Sequence, residues 1–187
     1  LMATQAEQYQ LEILDSLAEI PAAEWNKLLP RDAGPFLNHA FLSALEETEC
    51  VGGNTGWQVA HLGLKDQSQL VGALPLYLKQ HSYGEFVFDW SWAQAYEQQG
   101  MNYYPKALCA IPFTPVQGAR ILCAPDKNTT EIYSKLITGL KSLLVGNHLS
   151  SAHILFPLAS EVKAFEDQGF MLRDSVQFHW HNQAFQS

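Results

Sequence analysis

Segments with the two-residue period of strands alternate with segments of helical period along the whole chain. That alternation predicts a mixed α/β fold with a central sheet of about six or seven strands and helices on both faces. Two further observations point to a single domain over residues 1–187. No repeat or low-complexity tract interrupts the pattern, and 187 residues, 47% hydrophobic and 16% charged, are enough to bury a sizeable core.

Tyr9 to Leu14 is the first strand. Ala22 to Leu29 is a short helix, closed by Pro30, Gly34 and Pro35. Asn38 then offers a side-chain acceptor to the free amides of a helix from His39 to about Thr48, with Leu37 and Leu42 placed to staple its entry. After the glycine-rich loop from Cys50 to Gly56, Trp57 to Leu64 and Leu70 to Lys79 read as a hairpin. Pro75 lacks an N–H and marks an edge position or a bulge in the second strand. From Glu85 to Trp92 the parity separates Phe86, Phe88, Trp90 and Trp92 from Glu85, Val87 and Asp89, as an extended segment would. Asp89 or Ser91 can cap a helix running through Tyr96 to about Gly100.

Ala107 to Phe113 is an apolar strand stopped by Pro112 and Pro115, and Gly118 to Ala124 is a further strand. Asn128 and Glu131 form a capping-box pattern ahead of a helix that buries Ile132, Leu136, Leu140 and Leu143. Ala152 to Phe156 is a compact strand. A short helix from Ser160 turns Val162 and Phe165 inward and ends at Gly169. Phe170 to His181 closes the sheet, with Val176, Phe178 and Trp180 on one face and Gln177, His179 and His181 on the other.

The formal net charge is −8, and nearly all of it lies in the first fifty residues, where nine acidic side chains face only Lys27 and Arg31. Beyond residue 50 there are ten acidic and nine basic residues, which leaves no basic patch for DNA. Cys50, Cys109 and Cys123 form neither a zinc ribbon nor a disulfide framework, and no metal is expected. The N-terminal stretch has no cationic start followed by an apolar run, and no window reaches membrane-spanning length, so the chain is expected to be cytoplasmic. Leu1 ahead of Met2 reads as a cloning remnant.

Eight of the twenty-two aromatic residues fall between Tyr83 and Tyr104, interleaved with Glu85 and Asp89 and followed by Lys106. Such a mixture suits a pocket for a ligand with polar and apolar parts. Glu85 and Asp89 are the candidate base and amine anchor, the alternative being that an acid beside a helix start is a cap. Lys79, His81 and Lys106 can hold a phosphate or carboxylate, unless the lysines are simply solvated. Tyr83, Trp92, Tyr103 and Tyr104 stack on a sugar, line a pocket or fill the core. His179 and His181, with His153 nearby, lack an acidic or cysteine partner for a metal.

Several motifs, PFLNHAFLSALEE, LVGALPLYLKQHSYGEFVFDWSWAQAYEQQG, YYPK and IPFTPVQGARIL, resemble a bacterial family of predicted N-acyltransferases. Its members are described as peptidoglycan biosynthesis or recognition proteins, similar to Fem-type aminoacyltransferases. The order of elements, closing on FEDQGF, also resembles the GNAT acyltransferase fold. The resemblance implies a GNAT-like, partly splayed sheet and transfer of an acyl or aminoacyl group from an activated donor to an amine on a cell-wall precursor. The alternative is a non-catalytic half that recognises such a precursor or a partner domain.

In GNAT folds two parallel strands splay, and their free amides hold an acyl-CoA arm. Here those strands would be Ala107 to Phe113 and Ala152 to Phe156, with Pro112, Phe113 and Thr114 at the donor. The chain departs from that pattern in two places. FTPVQGARILCAP has one glycine where a phosphate-binding turn is expected, so Gln117 and Gly118 fit a plain turn better, and the helix at 160–168 lacks a tyrosine acid. Members of the resembled family contain two GNAT-like halves, so this chain is expected to be the N-terminal half of a tandem protein, paired with a second half or a homodimer partner.

Overall fold

The computed structural model describes residues 9–87, 89–181 and 183–184. Phe88, expected above on an aromatic face, lies outside the described residues, as do Leu1 and the rest of the N-terminal stretch to residue 8. The elements are β1 (Tyr9–Leu14), α1 (Ala22–Asn26), α2 (His39–Glu47), β2 (Trp57–Val59), β3 (His61–Asp66), β4 (Gln69–Leu74), β5 (Tyr77–Lys79), α3 (Trp90–Gln98), β6 (Lys106–Cys109), β7 (Leu122–Cys123), α4 (Thr129–Gly146), β8 (Ala152–Ile154) and α5 (Ala159–Asp167). The fold is mixed α/β as expected, but its strands divide into two four-stranded sheets, β1-β3-β4-β7 and β2-β5-β6-β8, in place of one sheet of six or seven.

The division has a local cause. Pro75 cannot donate a ladder bond, and the long hairpin breaks opposite it, so that β3 and β4 pair in the first sheet while β2 and β5 pair in the second. At the break Ala60 N–H still reaches Leu76 O, while Leu76 N–H turns to the Nδ1 of buried His61 at 2.9 Å. The corner therefore leaves neither of these amides without a partner.

Helices cover both faces of the first sheet. On one side Gly72 lies against α4, where an added Cβ would come within 2.6 Å of Ile132. On the other, the Trp25 ring of α1 packs on His61 with centroids 5.8 Å apart. The expected buried stripe of α4, Ile132, Leu136, Leu140 and Leu143, is in the core. Asn38 caps α2 by accepting from Ala40 N, and Asn128 caps α4 by accepting from Glu131 N.

In the second sheet, β5 runs antiparallel to β6, and β6 runs parallel to β8. Alternation sends Ala107 and Cys109 to the main core and Leu108 to a smaller cluster with Trp57, Val59, Tyr77 and Leu155.

Four expected elements need correction. Residues 85–87 and 89 belong to no strand, with α3 beginning at Trp90. The strand expected over 107–113 spans Lys106–Cys109, and that expected over 118–124 spans Leu122–Cys123. Residues 170–181 form no strand. Met171, Val176 and Phe178 there are 90%, 83% and 99% exposed, because alternation assigns faces only where a neighbouring ladder supplies backbone partners. In α5 the inward residues are Glu161 and Phe165, and Val162 is half-buried.

Candidate functional site

The site grows from one register pair. Lys79 of β5 lies opposite Lys106 of β6, so the two side chains leave the same face of the second sheet. Two like charges in direct opposition are unfavourable, and both residues are fully buried. The acids that offset them come from the segment crossing that face between β5 and β6. Lys106 Nζ donates to Glu85 Oε2 at 2.9 Å, Asp89 Oδ2 at 2.5 Å and Ser82 Oγ at 2.8 Å. Lys79 Nζ lies 3.7 Å from the centroid of Trp57 and donates to Tyr83 O.

The network continues outward. Tyr103 donates its hydroxyl proton to Asp89 Oδ2 at 2.6 Å, and its oxygen lies 3.3 Å from His153 Nε2. That nitrogen is 2.9 Å from Ser151 Oγ on the same strand edge. Tyr104 OH pairs with Ser82 Oγ at 2.7 Å. Glu85 Oε1 and Asp89 Oδ1 are buried and have no hydrogen-bond partner among the described residues.

These surroundings set the protonation. Burial pushes the Glu85 carboxyl above its ordinary range against the pull of Lys106. At Asp89 burial pushes the same way, but hydrogen bonds from Lys106 and Tyr103 outweigh it and hold the carboxyl low. Burial brings the Lys79 amine down to about 8, with Glu85 resisting and Lys106 assisting. His153 is lowered to about 4 by burial and by Lys106.

Glu85, Asp89, Lys79, Lys106 and Tyr104 thus converge, and Asp89, although at the helix start, makes no side-chain cap because its carboxylate is turned to Lys106 and Tyr103. Lys106 is neither solvated nor open to a ligand. Tyr83 and Trp92 are instead on the surface, 66% and 51% exposed. His81 is held by backbone: Nδ1 accepts from Tyr83 N and Nε2 donates to Thr55 O. His179 and His181 stack with centroids 6.5 Å apart, and no group of three metal-ligating residues occurs among the described residues.

Sequence reasoning missed a second buried assembly at the ends of the parallel strands. β6 and β8 pair through Cys109 and Ile154, and Leu155 N still reaches Cys109 O. At the next rung Leu155 O accepts from Arg120 Nε at 2.7 Å, and the guanidinium also donates to Ala119 O and Val116 O. Glu161 accepts from the amides of Arg120 and Ile121 at 2.7 Å each and of Leu158 at 2.9 Å. A lone arginine inside the apolar run Ala119 to Leu122 was the available signal. At the expected donor residues, Phe113 N donates to Gly84 O, Thr114 N donates to Ile111 O, and Pro112 has no N–H. The two amides of this stretch are thus already paired within the chain.

Solved structures of acetyltransferases share the architecture. A ribosomal-protein-alanine N-acetyltransferase from Brucella melitensis biovar Abortus 2308 superposes with a TM-score of 0.53 at 13% identity, covering 93% of this chain and 99% of that one. An aminoglycoside acetyltransferase from an uncultured soil metagenomic sample does so in complex with trehalose (TM-score 0.52, 11% identity) and with sisomicin (0.53, 12%), each covering 94% of this chain and 96% of that one. The fold is therefore GNAT-like, the mixed α/β arrangement that these acetyltransferases share. The profile of the FemAB-like family, described as peptidoglycan biosynthesis/recognition, matches residues 16–187, and the chain belongs to that family. No curated protein sequence matches it. No described helix is long and apolar enough to cross a membrane.

Proposed function

We propose that the chain is an N-acyltransferase domain that moves an acyl or aminoacyl group from an activated donor to an amine on a cell-wall precursor. The observation that carries this reading is Glu85, a buried carboxyl with a raised pKa and one oxygen without a partner among the described residues, held by Lys106 on the face of the sheet. Asp89, kept ionised, anchors the ammonium form of the incoming amine, and Glu85 takes the proton that the amine must lose. The neutral amine nitrogen bonds to the acyl carbon, the bond from that carbon to the donor's sulfur or oxygen breaks, and its electron pair leaves with the donor atom, which takes up the nitrogen's second proton. Lys106 positions both acids and touches no substrate.

The test is to incubate the protein with an amine-bearing muropeptide and either acetyl-CoA or an aminoacyl ester, and to follow the muropeptide by mass. A gain of one acyl group is expected, falling by about 100-fold or more in Glu85→Gln. A folded Glu85→Gln protein of unchanged activity rejects the assignment. A second reading, a recognition half working with a second GNAT-like half or a second copy, is favoured by Arg120 filling the gap beyond Cys109 and Leu155. On that reading the muropeptide binds and no mass is gained with either donor.

A further inference from the structure

We propose that the hollow beside His81 is a subsite for an uncharged saccharide. It has a volume of about 340 Å3 and is lined by Gly53, Asn54, Gly56, Gln58, Gln80 and His81. None of these six carries a formal charge in the observed arrangement. His81 Nδ1 accepts a backbone N–H and so bears no proton, while Nε2 donates to Thr55 O. Asn54, Gln58 and Gln80 are exposed carboxamides, each with donors and an acceptor to offer. The lining suits hydroxyl and acetamido groups. It provides no counter-charge for a phosphate or carboxylate.

The walls are held in place. Gly56 has φ +76, and a Cβ there would lie 2.3 Å from His81 Nε2, so the loop and the ring interlock only because this residue is glycine. Beyond His81 the rings continue as a shelf, with Tyr83 5.1 Å from His81 and Trp90 5.5 Å from Tyr83, centroid to centroid. Tyr83 and Trp90 are 66% and 49% exposed. A polar hollow whose His81 wall packs against exposed aromatic rings matches a pyranose, which has hydroxyls at its rim and an apolar C–H face. None of the six lining residues is a hydrogen-bond partner of Lys106. The subsite deepens the proposed function by naming the sugar of the precursor as ligand, and rests on that reading for the source of the sugar alone.

The test uses 15N-labelled full chain titrated with tetra-N-acetylchitotetraose, and separately with maltotetraose, with no donor present. Saturable shifts are expected at the side-chain amides of Asn54, Gln58 and Gln80 and at the Trp90 indole, with dissociation constants on the order of 1 mM. Tyr83→Ala and Gln80→Ala, both surface changes, should each weaken binding by about tenfold. Binding of the chitotetraose alone assigns an acetamido contact, and binding of both assigns the pyranose rim. No shift with either sugar at about 20 mM overturns the proposal. So do shifts that follow protein concentration instead of sugar, which identify the ring shelf as a self-association face. Because no acyl transfer is measured, loss of the transferase reading and loss of the sugar subsite give separate results.

Discussion

Arg120 and Lys106 are both fully buried cations placed near acids, and they differ in what is left over. Around Arg120 the three guanidinium nitrogens each reach a backbone carbonyl, and the two Glu161 oxygens take three backbone amides. That assembly satisfies the ends of loops with side chains, and each of its buried side-chain nitrogen and oxygen atoms has a partner among the described residues. Around Lys106 the ammonium is saturated by Ser82, Glu85 and Asp89, yet Glu85 Oε1 and Asp89 Oδ1 have no hydrogen-bond partner among the described residues. An unpaired buried carboxylate oxygen costs free energy unless something supplies a proton or a donor. The first cluster is therefore satisfied within the fold, whereas the second leaves two buried carboxylate oxygens to which the proposed function gives a use.

The largest effect expected from breaking this contrast is at Glu161. Glu161→Ala orphans three amides and strips the neighbouring guanidinium of its nearest carboxylate, and should cost on the order of 5 kcal/mol in urea unfolding. A loss below about 1 kcal/mol would show that the assembly is not structural. Next comes Lys106→Met, which leaves Glu85 and Asp89 uncompensated and should cost about 3 kcal/mol. Adding Asp89→Asn should return part of that loss, and strict additivity of the two changes would show that the pair is not coupled.

The third effect depends on pH. His153 binds its proton less readily in the folded chain, at about 4, than in the unfolded chain, near the ordinary 6.5. Its contribution is therefore fully present above pH 6.5 and is lost as pH falls through 4, a change of up to about 3 kcal/mol. Asp89, lowered, adds loss on the acid side, whereas Glu85, raised, favours the folded state at low pH and fades as pH rises. His153→Gln should flatten the stability profile between pH 6.5 and 4, and an unchanged slope would assign the acid loss elsewhere. The smallest effect is Glu85→Gln, which should alter stability by less than about 1 kcal/mol while the transfer or binding readout collapses. The reverse outcome would make Glu85 another structural acid.

Some of this was legible from the residues and some was not, and particular positions show the boundary. Asn38 ahead of α2 and the stripe Ile132, Leu136, Leu140 and Leu143 in α4 were read correctly because capping and helical burial depend on neighbours two to four residues away. Pro75 was read as an interruption, but not as the corner that turns one hairpin into parts of two sheets, because that depends on His61 taking the Leu76 amide from fifteen residues away. Glu85 and Asp89 were singled out for sitting among rings, whereas Arg120 and Glu161, forty-one residues apart, carried no local mark of their association. The alternation at 170–181 was real in composition and formed no strand.

Short-range order was thus contained in the chain itself: the helices, the caps of α2 and α4, the buried stripe of α4 and the charged, ring-rich segment between β5 and β6. Which backbone amides were free, which strands found partners and where each carboxylate turned were settled only on folding. The reason is physical: a hydrogen bond or ion pair between distant residues exists only when packing brings both ends within about 3 Å, and no periodicity in the sequence encodes that distance.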